Sequence, residues 1–153
     1  MKEKVGGKMI VKNRELRPYS MKLGESDTEY HKPKPRDIGE RSFQYALDAI
    51  RLCQNLQQTR DQASLIIAKQ YLRSATSIGA NVQEAQSGES RSDFIHKYSI
   101  AQKEARESLY WLRLLSASGI IPGDHLAPLI RETKEIFSVI TAIIVTAKKR
   151  AVK

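Results

Sequence analysis

Glu104 and Glu107, two carboxylates three residues apart, are the first residues whose type and spacing suit acid–base work or metal binding. A metal site inside a helical bundle takes inward Glu-x-x-His pairs on facing helices. No such pair occurs here, and the three histidines, His31, His96 and His125, are scattered. Charge pairing with Lys97, Lys103 or a neighbouring subunit accounts better for the two glutamates. Cys53 falls on an apolar helical stripe and reads as buried packing rather than as a nucleophile. The sequence holds no glycine-rich phosphate loop, no paired CxxC and no recognisable Ser/His/Asp constellation. The expectation is a binding protein and not an enzyme, with no catalytic residue, metal or cofactor.

Charge is the stronger signal. The 153 residues carry 26 Lys+Arg against 17 Asp+Glu, a net charge of +9. That excess favours a polyanionic partner, with solubility as the plainer alternative. At 100° per residue, Arg91, Arg106 and Arg113 fall within about 60° of one another on a helix, away from Glu104 and Glu107. Lys148, Lys149, Arg150 and Lys153 cluster near the C-terminus, where cations are also favoured simply by a helix dipole. Phosphate contacts need charge and position but no catalytic apparatus, and they act through counterion release. Without a sequence-reading motif, recognition of RNA or DNA is expected through the backbone.

These residues must be positioned by helices. Phe43, Ala46, Leu47, Ile50 and Cys53 make one helical stripe from Ser42 onward, with Tyr45, Ala49, Leu52 and Leu56 beside it. Thr59 and Gln62 have capping-box spacing for a second helix, whose core stripe is Ala68, Tyr71, Leu72, Ala75, Ile78, Gly79 and Val82. Gly88 is expected to stop that helix in the left-handed conformation. Ser90 and Asp93 open a third helix, cored by Phe94, Tyr98, Ala101, Ala105, Ser108, Leu112 and Leu115. Gly119 and Pro122 end it, and Asp124 is placed to cap a fourth. Leu126, Ile130, Thr133, Phe137, Ile140, Ile144 and Ala147 then recur in the three–four spacing of a bundle seam. The fold class is therefore all-α, an antiparallel up-down four-helix bundle over residues 40–150. Residues 1–39, with four glycines, three prolines and no sustained helical period, read as a flexible basic tail.

Two outer surfaces suggest self-association. Arg73, Ser77, Asn81 and Glu84 are four, four and three apart, on the face opposite the second helix's core stripe. Small neighbours Ser74, Gly79 and Ala80 permit close approach there, although an ordinary solvated face would show the same pattern. Ile100, Trp111 and Leu114 project away from the third helix's core stripe, with Glu104 and Glu107 beside them. A lone chain would expose them together unless the tail covered them, whereas an oligomer interface would bury them.

Hydrophobic residues at 41% suit a globular domain, and no run approaches the ~18–20 apolar residues that span a bilayer. The N-terminus lacks an apolar signal core, and a single cysteine suits a reducing compartment. A cytoplasmic protein with no membrane role is expected.

Several residues carry a family resemblance: Leu72-Arg73-Ser74-Ala75, Ser77-Ile78-x-x-Asn81, Glu84, Ser92-Asp93-Phe94, Lys103-Glu104-Ala105-x-Glu107 and Tyr110-Trp111-Leu112. Together with the opening helix ERSFQYALDAIRL, they resemble the bacterial four-helix-bundle, or 23S ribosomal-RNA intervening-sequence, protein family over residues 40–150. The resemblance implies a ring-shaped homopentamer. It also implies kinship with accessory proteins of diversity-generating retroelements, which are thought to bind nucleic acid and a reverse transcriptase. Two functions are carried forward. One is an oligomeric, non-enzymatic accessory protein that binds RNA or DNA. The other is a homo-oligomeric scaffold for a partner protein.

Overall fold

The computed structural model describes residues 37–57 and 61–149. They form four helices, α1 (Ile38–Gln57), α2 (Gln62–Gln86), α3 (Arg91–Ala117) and α4 (Gly123–Lys149), and the described residues hold no strand. Short connections make consecutive helices antiparallel neighbours, and α1 against α4 closes the bundle with the slightest contact of the four. Two ends result. Gly39 lies against Gln86, and the Arg91 guanidinium donates to the Ala147 carbonyl. The start of α1, end of α2, start of α3 and end of α4 therefore share one end, termed the head.

The core stripes of α2 and α3 are as the periodicity predicts except at Leu72 and Phe94, which are only partly buried. Ala68, Tyr71, Ala75, Ile78, Gly79 and Val82 are buried from α2, as are Tyr98, Ala101, Ala105, Ser108, Leu112 and Leu115 from α3. In α4 the core takes Leu126, Leu129, Thr133, Ile136, Ile140 and Ile144, while Ile130 and Phe137 pack half-buried at its edge. Helix α1 corrects the sequence reading. Its buried face is Tyr45, Ala49, Leu52, Cys53 and Leu56, whereas Phe43 is 54% and Ile50 37% exposed. Two apolar stripes competed on that helix. The one carrying Tyr45 won because its hydroxyl finds polar partners inside the bundle. Thr133 gives its one proton to the Leu129 carbonyl at 2.6 Å, so Tyr45 donates to Thr133 at 2.7 Å. Tyr71 in turn donates to Tyr45 at 3.3 Å. The relay runs from α2 through α1 to α4. Ser108 extends the buried polar layer by donating to Ser74 at 2.9 Å.

Helix ends differ from expectation in three places. Thr59 lies outside the described residues, and the N-cap of α2 is Asp61, whose carboxylate accepts from the Ser64 backbone N–H at 2.7 Å and from its hydroxyl at 2.5 Å. Helix α2 does stop just before Gly88, with Ser87 as C-cap, but not in the left-handed conformation: among the described glycines only Gly119 has positive φ, at 71°. Asp124 sits inside the first turn of α4, where the His125 N–H bonds back to the Pro122 carbonyl at 3.0 Å. There the carboxylate complements the helix dipole rather than capping the chain. Ser90 does cap α3, accepting from the Asp93 N–H at 3.1 Å. Helix α1 also begins at Ile38, four residues before the expected start.

The two bonds from Ser64 hold the Asp61 carboxyl below its ordinary range. A group with a lowered folded-state pKa contributes stability that is present above its unfolded pKa and lost as pH falls through the folded value. Asp61→Ala is therefore expected to lower the thermal midpoint at pH 7, and the difference from wild type should vanish as the pH drops below the carboxylate range. Melts followed by circular dichroism across pH 2–7 check this; a pH-independent difference would contradict it.

Candidate functional site

Of the six cations expected to bind nucleic acid, the five described ones, Arg91, Arg106, Arg113, Lys148 and Lys149, do not gather in one patch. Arg91, Lys148 and Lys149 come together at the head, where antiparallel topology brings the start of α3 to the end of α4. Arg91 spends its guanidinium on the exposed Ala147 carbonyl, satisfying one of the acceptors that a helix C-terminus leaves open. Lys148 and Lys149 are exposed and form no ion pair among the described residues. Arg106 stands midway along α3, its guanidinium carbon 5.3 Å from the centroid of the Phe137 ring on α4. Arg113 is exposed near the opposite end of α3. Arg150 and Lys153 lie outside the described residues.

The charge excess is distributed in the same way. The described residues hold 13 Lys+Arg and 12 Asp+Glu, so the bundle itself is almost neutral. Arg60 lies between α1 and α2; residues 1–36 hold ten basic and five acidic side chains, and Arg150 and Lys153 follow Lys149. Both of these basic segments join the bundle at the head. A groove of ≈ 420 Å³ opens there too, between Phe94 of α3 and Val139, Ala142, Ile143, Thr146 and Ala147 of α4. Its lining offers one hydroxyl, Thr146, and no titratable side chain.

The second expected surface is corrected in its placement. Arg73, Ser77, Asn81 and Glu84 border α3 instead of facing away from the bundle. Arg73 pairs with Glu107 at 2.9 Å, Lys97 pairs with Glu84 at 2.5 Å, and Ser77 and Asn81 are half-buried. The Asn81 amide donates to the Ser77 carbonyl at 2.9 Å. These residues and the Ile100–Leu114 side of α3 therefore form one continuous flank across α2 and α3. Trp111 is half-buried against the core, its indole N–H donating to Glu107 at 3.2 Å, so the lone chain does not leave it bare. Ile100 is half-buried and Leu114 is 36% exposed. Sequence reasoning missed Tyr110, which is 56% exposed with its ring edge-on to Trp111 at 4.9 Å. Its place directly beside Trp111 in the sequence was the available signal.

Glu104 also lies on this flank. Its Oε2 is shielded from solvent and has no hydrogen-bond partner among the described residues. Desolvation, then the neighbouring Glu107 charge, raise its pKa above the ordinary carboxylate value, and Arg73 opposes them. Among the described residues, no three His, Cys, Asp or Glu side chains are grouped to hold a metal ion.

Cys53 is buried and its thiol donates to the Ala68 carbonyl at 3.3 Å; burial pushes its pKa up to about 11. The thiolate is the reactive species, so the folded thiol is expected to resist a disulfide reagent at pH 8 and react fully only in denaturant. Rapid stoichiometric labelling of the native chain would contradict this.

The fold and its paired polar flank define an antiparallel four-helix-bundle protein with a charged head. The chain belongs to the 23S rRNA-intervening sequence protein family, whose pattern matches residues 35–142. A Bacteroides thetaiotaomicron protein of unknown function from the S23 ribosomal protein family has a similar crystal structure, with 37% sequence identity and a TM-score of 0.66. The similarity covers 71% of this chain and 98% of that one. No curated protein matches the chain. No helix among the described residues is long and apolar enough to cross a membrane.

Proposed function

We propose that this chain is an oligomeric, non-enzymatic accessory protein that binds nucleic acid, RNA foremost, through its head. The observation that carries the reading is the separation of charge: a nearly neutral bundle, with basic segments attached at one end beside Lys148 and Lys149, which form no ion pair among the described residues. Cations left unpaired at one place suit a phosphate backbone, whereas cations scattered for solubility need no common location. The family's reference to a 23S rRNA intervening sequence supports RNA as the polyanion. Assembly is supported by the α2–α3 flank, where Tyr110 and Leu114 are exposed beside half-buried Trp111. In a ring of copies the heads would multiply their charge.

Equilibrium titration of the full chain with fluorescent single-stranded RNA, duplex RNA and duplex DNA tests the reading. Binding at 50 mM salt that falls steeply by 200 mM is expected. No detectable binding to any of them at low ionic strength sinks it. A protein scaffold is the second reading, favoured by the exposed ridge of Phe43 and Ile50 on α1. Under that reading, reversing the head charges would leave partner capture intact.

A further inference from the structure

The groove between Phe94 and the last turns of α4 exists because α1 stops short of it. Across the α1–α4 seam, Arg41 pairs with Glu132 and Tyr45 with Thr133. From that level α1 reaches back only three residues, to Ile38, whereas α4 runs on for seventeen, to Lys149. At 1.5 Å per residue, about 20 Å of α4 therefore has no α1 beside it. Val139, Ile143 and Thr146 follow Glu132 at steps of seven, four and three, so the groove floor continues the stripe that α1 covers lower down. Val139 and Ile143 pack half-buried against the core, and Ala142 and Thr146 beside them are exposed.

The chain leading into α1 is the piece placed to cover this floor. Ile38 is already buried. Burial, and then the charge of Asp37, raise the Tyr98 pKa, which sets the entry of the chain close to α3. The Tyr98 ring in turn meets Phe94, the α3 wall of the groove, with centroids 4.6 Å apart. Residues 30–36 read YHKPKPR. Pro33 and Pro35 turn Lys32 and Lys34 away from helix and favour an extended run. At ~3.1 Å per residue such a run is about 20 Å long, the length of α4 left uncovered. Tyr30, at its far end, is the first large apolar side chain met on going back from Asp37.

We propose that residues 30–36 lie along this groove of their own chain as an extended strap, with the Tyr30 ring against Ile143 and its hydroxyl bonded to Thr146. A buried tyrosine needs a partner for its hydroxyl, and Thr146 is the hydroxyl the lining offers. Proline-rich segments dock at low entropic cost in grooves with an aromatic wall, which Phe94 supplies. Charge agrees at the near end. Glu135, one turn before Val139, is exposed and forms no ion pair among the described residues, and Lys34 and Arg36 complement it. The strap goes beyond the functional reading and holds whether or not the head binds nucleic acid.

Methyl NMR of the full chain, as wild type, Tyr30→Ala and Ala142→Glu, tests the strap. Ala142 is an exposed groove position, so its replacement leaves the bundle core intact, and thermal melts should show both variants folded. Expected in wild type are cross-peaks from the Tyr30 ring to the Ile143 and Thr146 methyls within one chain. Ala142→Glu should remove them. Tyr30→Ala should shift the Val139 and Ile143 methyls while leaving those of Ile78 and Leu112 in place. Trypsin gives an independent rate: between Lys22 and Arg41 only the Arg36–Asp37 bond is readily cut, since Lys32 and Lys34 precede proline. Either variant should speed that cut by about tenfold or more. Methyl shifts and a cleavage rate that both variants leave unchanged overturn the proposal. Cross-peaks that arise only between copies, in a sample mixing labelled and unlabelled chain, also overturn it and give the groove to a second copy's segment.

Discussion

Replacing Lys148 and Lys149 with glutamate should lower the affinity of the full chain for RNA by about tenfold or more at 50 mM salt. Each cation lost from a phosphate contact removes about 0.7–0.9 from the slope of log affinity against log salt, so losing two should shrink the slope by roughly 1.4–1.8 per binding chain. The reversal also places two negative charges at the C-terminus of α4, where the helix dipole is unfavourable to them, so stability must be followed beside binding. Lys148→Gln with Lys149→Gln separates the two effects, because it removes the charge without the repulsion. Arg113→Glu is the control. It lies near the other end of α3, and a head-centred interface predicts little change from it. Equal losses at Arg113 and at the lysine pair would place binding along the whole bundle and contradict the head as the site.

The largest expected effect on stability is at Tyr45. Its ring is fully buried and meets Tyr71 edge-on with centroids 6.4 Å apart, and its hydroxyl links α2 to α4. Truncating a buried aromatic side chain to alanine costs about 3–5 kcal/mol, from lost transfer energy and the cavity left behind. Here the Tyr71 hydroxyl also loses an acceptor in an apolar setting. Tyr45→Ala is expected to lower the thermal midpoint by more than about 10 °C, while Tyr45→Phe, which keeps the ring, should cost about 1–3 kcal/mol. Helix α1 has only slight contact with α4, so Tyr45→Ala should also speed hydrogen exchange in α1 before α3. A midpoint within 2–3 °C of wild type would show that the relay contributes little.

The bidentate pair from Arg41 to Glu132, with contacts of 2.5 and 3.0 Å, spans the same α1–α4 seam. Both side chains remain partly exposed, at 26% and 34%, so solvent screening limits what the pair adds. The buried Tyr45–Thr133 bond is therefore expected to contribute more to the α1–α4 seam than this ion pair.

Helix number, order and most of the core followed from the spacing of apolar residues. On α2 and α3 one stripe supplies most of the buried face, whereas on α4 Leu129 and Ile136 take the core places expected of Ile130 and Phe137. On α1 the pattern was ambiguous. Phe43 and Ile50 are as apolar as Leu52 and Leu56, and local sequence gives no reason to choose between the two stripes. The choice fell to partners 26 and 88 residues away in sequence, the hydroxyls of Tyr71 and Thr133. Caps were partly legible: Ser90 stood out, whereas Asp61 was hidden behind the competing Thr59–Gln62 spacing. At the α2–α3 flank, helical spacing grouped Arg73 with Glu84 and Glu104 with Glu107. It could not show that the two groups face one another, since that depends on how α2 is rotated against α3.

The two glutamates with which acid–base chemistry was first considered show the division most clearly. The sequence by itself determined that Glu104 and Glu107 share a helix face, that no histidine accompanies them, and that the chain is basic and helical. Those are properties of composition and period, which each segment carries alone. Tertiary structure decided that Arg73 and Trp111 both turn to Glu107, leaving Glu104 Oε2 shielded and without a donor among the described residues. It also decided that the basic segments join a nearly neutral bundle at one end. Desolvation and charge placement depend on which helices meet and in what rotation, and no local pattern encodes that.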